Sequence, residues 1–388
     1  MATLITEKVD APPAQPAGPA QVSEPDRPRR NRRVSRDGVF DIVGSAVASV
    51  AAVWLIFSVA GVSVANFGFF FCCAVLGYTI YGILVWRRDG VLIMKDRLAT
   101  VAIWTGALIA LVALAAVILY VLVKGAPTVF SHFPQFLVLD TSGGKTGNQY
   151  GVGQSIVGTL EQVLIATLIS VPIAFFTATY LVESHSVLSR LVRNIVDAMT
   201  GTPSIIAGLF MYLIWVQPHG VNGKNGFIAA LTLSIMMIPV TCRAALEVIR
   251  IVPGSLREAA HALGSPEWRV TLRIVLPAAR VGLITAAVLG IARTAGETAE
   301  VLFTAGGSAH YNWNPFHGWQ DDLPLRIYEQ VFQPSKAAIS VGWGAAFVLM
   351  ALVLFLFTLA RLLGSGQSGR RRRTLRFLRR SRPLSETS

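Results

Sequence analysis

Arg293, Glu297 and Glu300 stand in a run of otherwise small and apolar residues, Leu289-Gly290-Ile291-Ala292-Arg293-Thr294-Ala295-Gly296-Glu297-Thr298-Ala299-Glu300. Spacings of four, three and seven residues put all three on one face of a continuous helix. Each such charge costs ~2.5 to 3.5 kcal/mol at the centre of a bilayer, so this face must look toward protein or water and away from lipid. A guanidinium can hold a tetrahedral oxyanion by two parallel hydrogen bonds. A carboxylate one turn away can occupy that guanidinium when no anion is present, which keeps the hold weak enough for release. The chemistry on offer is therefore reversible anion binding. The competing reading is a structural Arg293–Glu297 pair that pins helices together, with Gly290 and Gly296 allowing a close neighbour.

A second constellation lies between Arg243 and Pro277, the longest charged interruption among the later apolar runs. Ser255 and Glu258 have the spacing of a capping box, in which the hydroxyl accepts from a free backbone N–H and the carboxylate reaches back. Gly264 suits the left-handed position that ends a helix. Ser265 then reads as the cap of a second short helix with Pro266 at its first position, closed by Pro277. Two short, rigid helices of this kind are either a docking element or only a well-capped loop. Insertion into a DNA groove is the weaker reading, because their place between two apolar spans leaves them little freedom to enter one. A third group, Thr202-Pro203-Ser204, offers two hydroxyls beside a helix-breaking proline. Those hydroxyls could donate to an anion or satisfy the backbone groups that the proline frees.

Other chemistry finds no support. Gly143-Gly144-Lys145-Thr146 resembles the end of a phosphate-binding loop, but such a loop needs glycine five positions before Gly144, where Leu139 stands. Cys72, Cys73 and Cys242 lie in apolar segments, and His310 and His317 lack the spacing of a metal site. With no nucleophile–base pair and no metal cluster, the chain has no catalytic residues to assign.

The elements that must carry these residues are membrane helices. The 388 residues are 53% hydrophobic and only 14% charged, against roughly 25% charged in soluble domains. Eight runs approach or exceed the ~20 residues needed to cross a bilayer. They are Val39–Ala60, Asn66–Trp86, Leu98–Val123, Ser155–Val182, Ile195–Val216, Phe227–Val248, Ala278–Ala305 and Ala338–Leu363. The net charge of +13 is not a nucleic-acid footprint, because it is distributed by topology. With the N-terminus inside, 28 of the 34 Lys and Arg fall on the cytoplasmic side and 5 on the other. The predicted fold class is thus an all-α polytopic membrane protein of the plasma membrane, both termini cytoplasmic. Its expected parts are a basic tail over 1–38, a two-helix hairpin over 39–90, a main transmembrane domain over 91–364 with the charged loop at 249–277, and a second basic tail over 365–388. The tail around Arg370–Arg380 reads as a stop signal or as a lipid-binding segment.

Glu258-Ala259-Ala260, followed at fixed spacing by Gly264, Ile274 and Leu276-Pro277, resembles the cytoplasmic EAA loop of permeases in binding-protein-dependent ABC importers. The resemblance implies that these residues dock on a separate ATPase subunit, which binds ATP and Mg, while this chain itself holds no cofactor. A narrower likeness is carried by Gly201-Thr202-Pro203-Ser204-Ile205, Pro253 to Gly264, Arg293 to Ala299, Leu302-Phe303-Thr304-Ala305, and Leu323-Pro324-Leu325 with Ile327-Tyr328. Over roughly 98–363 these are similar to the A-type permease of the phosphate-specific system. That likeness implies a type I ABC importer core of about six transmembrane helices and a heterodimer with a C-type phosphate permease. It also implies an ATPase dimer and an extracytoplasmic phosphate-binding protein, and it places Arg293, Glu297, Thr202, Pro203 and Ser204 on the translocation path. Glu300, on the same predicted face, joins them there although the family has proline at its position. The N-terminal hairpin is an addition to the six-span pattern. Permeases for sulfate or molybdate, membrane-embedded enzymes and regulatory scaffolds are the alternatives against which this expectation is set.

Overall fold

The computed structural model describes residues 36–61, 67–142, 151–184 and 186–365. Most of the two basic tails and the Gly143–Thr146 run lie outside the described residues. Where described, the chain is helical: eight helices are long and apolar enough to cross a membrane. It divides into two compact units, Met1–Ala113 and Leu114–Ser388.

In the first unit, α1 (Arg36–Val59) and α2 (Phe67–Asp89) form a hairpin. Gly77 lets α2 approach Ser49 of α1, and Asp41 and Arg88 pair at 3.4 Å. The start of α3 (Val91–Ser131) adds a hydrogen bond from Tyr78 to Thr105 at 2.8 Å. At 41 residues, α3 is about 60 Å long and overruns the bilayer, so the predicted span 98–123 is its central part.

The second unit continues through α4 (Gln135–Val138), α5 (Gly153–Glu183), α6 (Val187–Gly201), α7 (Ser204–Met211) and α8 (Gln217–His219). Then follow α9 (Gly226–Arg250), α10 (Gly254–Ala262), α11 (Glu267–Val270), α12 (Leu276–Thr294), α13 (Ala299–Thr304), α14 (Leu323–Val331) and α15 (Lys336–Ser365). Its centre is α9, packed along α5 on one side and α12 on the other. Ala174, Ala178, Ala245, Ala279 and Ala286 fill that interface, and Gly282 and Gly290 lie directly against Val248 and Thr241. Small residues are what membrane helices need for close packing, because lipid gives no hydrophobic drive between them.

Two predicted spans break differently from the sequence reading. The run 195–216 is not one helix: α6 ends at Gly201, Thr202-Pro203 is extended, and the crossing helix begins at Ser204. The residue before a proline is driven out of helical geometry, which sets this boundary. Likewise the run 278–305 stops at Thr294, and the crossing segment instead starts at Glu267.

Candidate functional site

The break after α12 reshapes the three-charge face. Ala295 and Gly296 close the helix by hydrogen bonds to Ile291 and Arg293 carbonyls, and the chain restarts only at Ala299 as α13. Arg293 and Glu297 do come together, with Nε 3.6 Å from Oε1. Glu300 does not share their face, correcting the expectation from spacing: it sits on another helix and is fully buried. Neither of its carboxylate oxygens has a hydrogen-bond partner. Gly208 of α7 packs on its backbone, where a Cβ would lie 2.9 Å from Glu300 Cα.

Arg293 is 51% exposed and Glu297 18%. The Arg293 side chain opens into a cavity of about 570 Å³ bounded by α5, α6, α9 and α12, which Arg193, Arg243, Arg250, Asp197 and Glu247 also line. Arg243 pairs with Asp197 at 2.7 Å. Sequence reading counted these arginines only as topology markers. The signal that could have found them is spacing, since Arg243 and Arg250 are two turns apart on α9 and Asp197 is one turn after Arg193.

Thr202-Pro203-Ser204 lies outside that cavity's lining, at the start of α7, the helix that packs on α13. Thr202 donates to the Ala198 carbonyl at 3.1 Å, and the Ile206 N–H reaches the Pro203 carbonyl at 3.0 Å. For Thr202 the hydroxyl therefore serves the broken helix.

The loop between α9 and α12 shows three corrections. No capping box forms: Pro253 holds the cap position, α10 starts at Gly254, and Ser255 is already inside the first turn without a capping bond. Pro266 rather than Ser265 precedes α11. Nor does Pro277 end this second helix. The backbone passes through a widened turn at Thr271–Val275 straight into α12, whose first turn tolerates proline because its N–H is not needed there. Gly264 is as expected, with φ of +76°, and the N–H groups of Gly264 and Ser265 bond the His261 and Ala260 carbonyls. Ala260, Ile274 and Leu276 face the core, whereas Glu258, Ala259, Gly264 and Pro277 are exposed. Exposed Leu263 and Trp268 lie beside them in sequence, and Arg257 ties α10 to Glu183 of α5 at 2.9 Å.

At the other end of the second unit a polar network holds the connection from α13 to α14. Arg326 donates to Asp321 from Nε at 2.9 Å and from Nη2 at 2.7 Å, and to the Ser308 carbonyl at 2.8 Å. Ser155 donates to the same carboxylate. Thr159 accepts from the Leu323 N–H at 2.9 Å, and Gln320 bridges Gln162 and Glu161 at 3.1 and 2.6 Å. Asp322 caps α14 through the Leu325 N–H at 2.7 Å. Burial lifts the carboxyls of Asp321 and Asp322 above the ordinary range, against the pull of Arg326 and of these hydrogen bonds. The loop aromatics are engaged with each other and with the fold: Tyr311 stacks on Trp313, Phe316 meets Phe227, and Trp319 donates to the Val221 carbonyl at 3.1 Å. His310 and His317 are exposed.

Residues 170–368 match the family model described as binding-protein-dependent transport system inner membrane component. The chain is 36% identical over 266 residues to "Phosphate transport system permease protein PstA 1" of Mycobacterium tuberculosis (strain ATCC 25618 / H37Rv), covering 67% of this chain and 84% of that protein. The chain belongs to the PstA-type permeases. It is also 37% identical over 266 residues to the Mycobacterium leprae (strain TN) permease, and 31% identical over 273 residues to "Probable phosphate transport system permease protein PstA" of Methanocaldococcus jannaschii. The latter match covers 70% of this chain and 94% of the archaeal one. As a PstA-type permease the chain is a multi-pass transport component with the fold of ABC importer permeases.

Proposed function

We propose that this permease imports inorganic phosphate, forming half of the path with a C-type permease. The observation that carries the reading is the Arg293–Glu297 pair, half-exposed at a helix end and opening into the arginine-lined cavity of a PstA-type fold. Phosphate approaching Arg293 exchanges with Glu297 for the guanidinium donors, so the anion is held in two parallel bonds and then displaced. The 3.6 Å separation is longer than a charge-assisted hydrogen bond, which makes that exchange cheap. Thr202, Pro203 and Ser204 lie outside that cavity's lining, at the start of α7; with the Thr202 hydroxyl bonded to the Ala198 carbonyl, Ser204 is the hydroxyl we assign to the path there. Glu300, buried and packed through its backbone on Gly208 of α7, stays off the path in the protein interior.

The charge bias puts both termini and the α10–α11 loop in the cytoplasm of a bacterial plasma membrane, with the Asp321–Arg326 network outside. There the exposed face of Glu258, Ala259 and Gly264, with Leu263 and Trp268, meets one subunit of an ATPase dimer. That partner binds ATP and Mg and performs the hydrolysis, and an extracytoplasmic binding protein delivers phosphate at the outer end. Lipid surrounds the bundle. The added hairpin over 39–90 is a separate module in front of the permease domain.

Cells lacking the native protein, supplied with wild type, Arg293→Ala or Glu258→Ala at equal membrane abundance, test the reading through uptake at limiting phosphate. Wild type restores uptake and both variants lose most of it. Restoration of sulfate or molybdate uptake in place of phosphate overturns the substrate. Full transport by Arg293→Ala removes this residue from the path.

A further inference from the structure

Arg193 and Arg250 face the same cavity as Arg293, and nothing above uses them. They are also shared with an adjoining cavity of about 350 Å³ that Ser189 and Arg190 line. Four guanidiniums and two carboxylates border the larger space. Arg243 is matched by Asp197 at 2.7 Å, which leaves Arg193 and Arg250 with only the loosely held Glu247 between them. Arg193 gives one of its five N–H donors to the Leu181 carbonyl at 3.1 Å, which anchors the head of the side chain at the wall. Arg250 meets Glu247 at 3.5 Å, too long for a charge-assisted bond, with 45% of its side chain exposed. One anchored and one loosely held guanidinium fork, both under-used and on one cavity, attract a tetrahedral oxyanion, which offers each fork two acceptors.

We propose that Arg193 and Arg250 form a second oxyanion site on the cytoplasmic side of Arg293, taking either inorganic phosphate or the phosphate of an anionic lipid headgroup. The side assignment rests on the function proposed above; the binding does not. A dianion leaving Arg293 passes this site before it reaches bulk solvent. When cytoplasmic phosphate is high the site stays filled, and release from Arg293 slows through like-charge repulsion. The importer is thereby slowed by its own product.

The test uses the assembled complex in nanodiscs without the binding protein. Binding of radiolabelled inorganic phosphate is followed by equilibrium dialysis for wild type, Arg193→Gln/Arg250→Gln, Arg293→Gln and, as a control for bulk charge, the exposed Arg269→Gln. Saturable millimolar binding is expected for wild type and Arg269→Gln; Arg293→Gln loses the contribution of its own site but keeps a saturable component, and that component falls at least about tenfold in the double variant. If phosphatidylglycerol in the nanodisc suppresses wild-type binding, the occupant is the lipid headgroup; if it does not, the occupant is free phosphate. Equal binding by wild type and the double variant in both lipid compositions overturns the proposal, as does an equal loss in Arg269→Gln. Uptake by the same variants in proteoliposomes, now supplied with the binding protein, separates the two readings. Phosphate transport with unchanged dialysis leaves the importer and removes the site, whereas arginine-dependent binding without phosphate transport does the reverse.

Discussion

Arg326 and Arg293 are the same residue put to opposite uses at two ends of one helical unit. Arg326 is 7% exposed and bonds two atoms of its surroundings at 2.7–2.9 Å, with Glu329 a further partner at 3.4 Å. Arg293 is 51% exposed and has a carboxylate at 3.6 Å. A guanidinium whose donors are committed inside the protein fixes the fold; one with donors to spare can take a ligand and give it up. The number of committed donors, more than the presence of charge in an apolar sequence, is what distinguishes a clamp from a carrier.

The contrast breaks most visibly in stability. Arg326→Leu leaves Asp321 buried and unpaired, a loss of about 3–5 kcal/mol for a broken buried pair, so little folded protein should reach the membrane. Arg293→Ala should leave abundance and thermal stability near wild type while uptake fails. Equal destabilisation by the two changes, measured by fluorescence-detected size exclusion after heating, would erase the distinction.

Glu300→Gln sharpens the contrast from inside. The carboxylate is fully buried with both oxygens unpartnered, so an uncharged isostere removes a desolvation cost and should raise thermal stability by about 1 kcal/mol or leave it unchanged. Uptake should persist, as it does not for Arg293→Ala. A collapse of uptake at normal abundance places Glu300 on the path with Arg293.

The smallest effect is on pH. Asp321, Asp322 and Glu329 are all raised by burial, so their contribution to folding is full below the ordinary carboxylate range and declines as pH rises through the raised values. Hydrogen-exchange protection over 320–330, corrected for intrinsic rates, should fall modestly from mildly acidic to alkaline pH. A flat profile would mean that the carboxylates stay ionised and the Asp321–Arg326 clamp is purely ionic.

The eight crossings were legible because length and apolarity are local properties, and the Gly264 turn because only one residue type suits that backbone. The breaks were harder. Periodicity across 289–300 continues on paper through Ala295 and Gly296, yet the helix stops there, and this single event separates Glu300 from Arg293. Pro253 displaced Ser255 from the cap because its φ of −56° and ψ of 133° already set the entry to the helix. The Asp321–Arg326 clamp had no local sequence signal: Ser155 and Asp321 are 166 residues apart. The arginine cavity was half legible, its residues visible as charges but not as neighbours.

The uninterrupted backbone from Glu267 to Thr294 has a mechanical corollary. It is a rod of about 40 Å with Trp268 near one tip and Arg293 near the other. Bending it would break backbone hydrogen bonds, so a load applied at Trp268 is delivered to Arg293 as thrust or torque along the axis. The widened turn at Thr271–Val275 is the compliant joint in that shaft, where a hydrogen-bond register can slip by one residue without fracture of the rest.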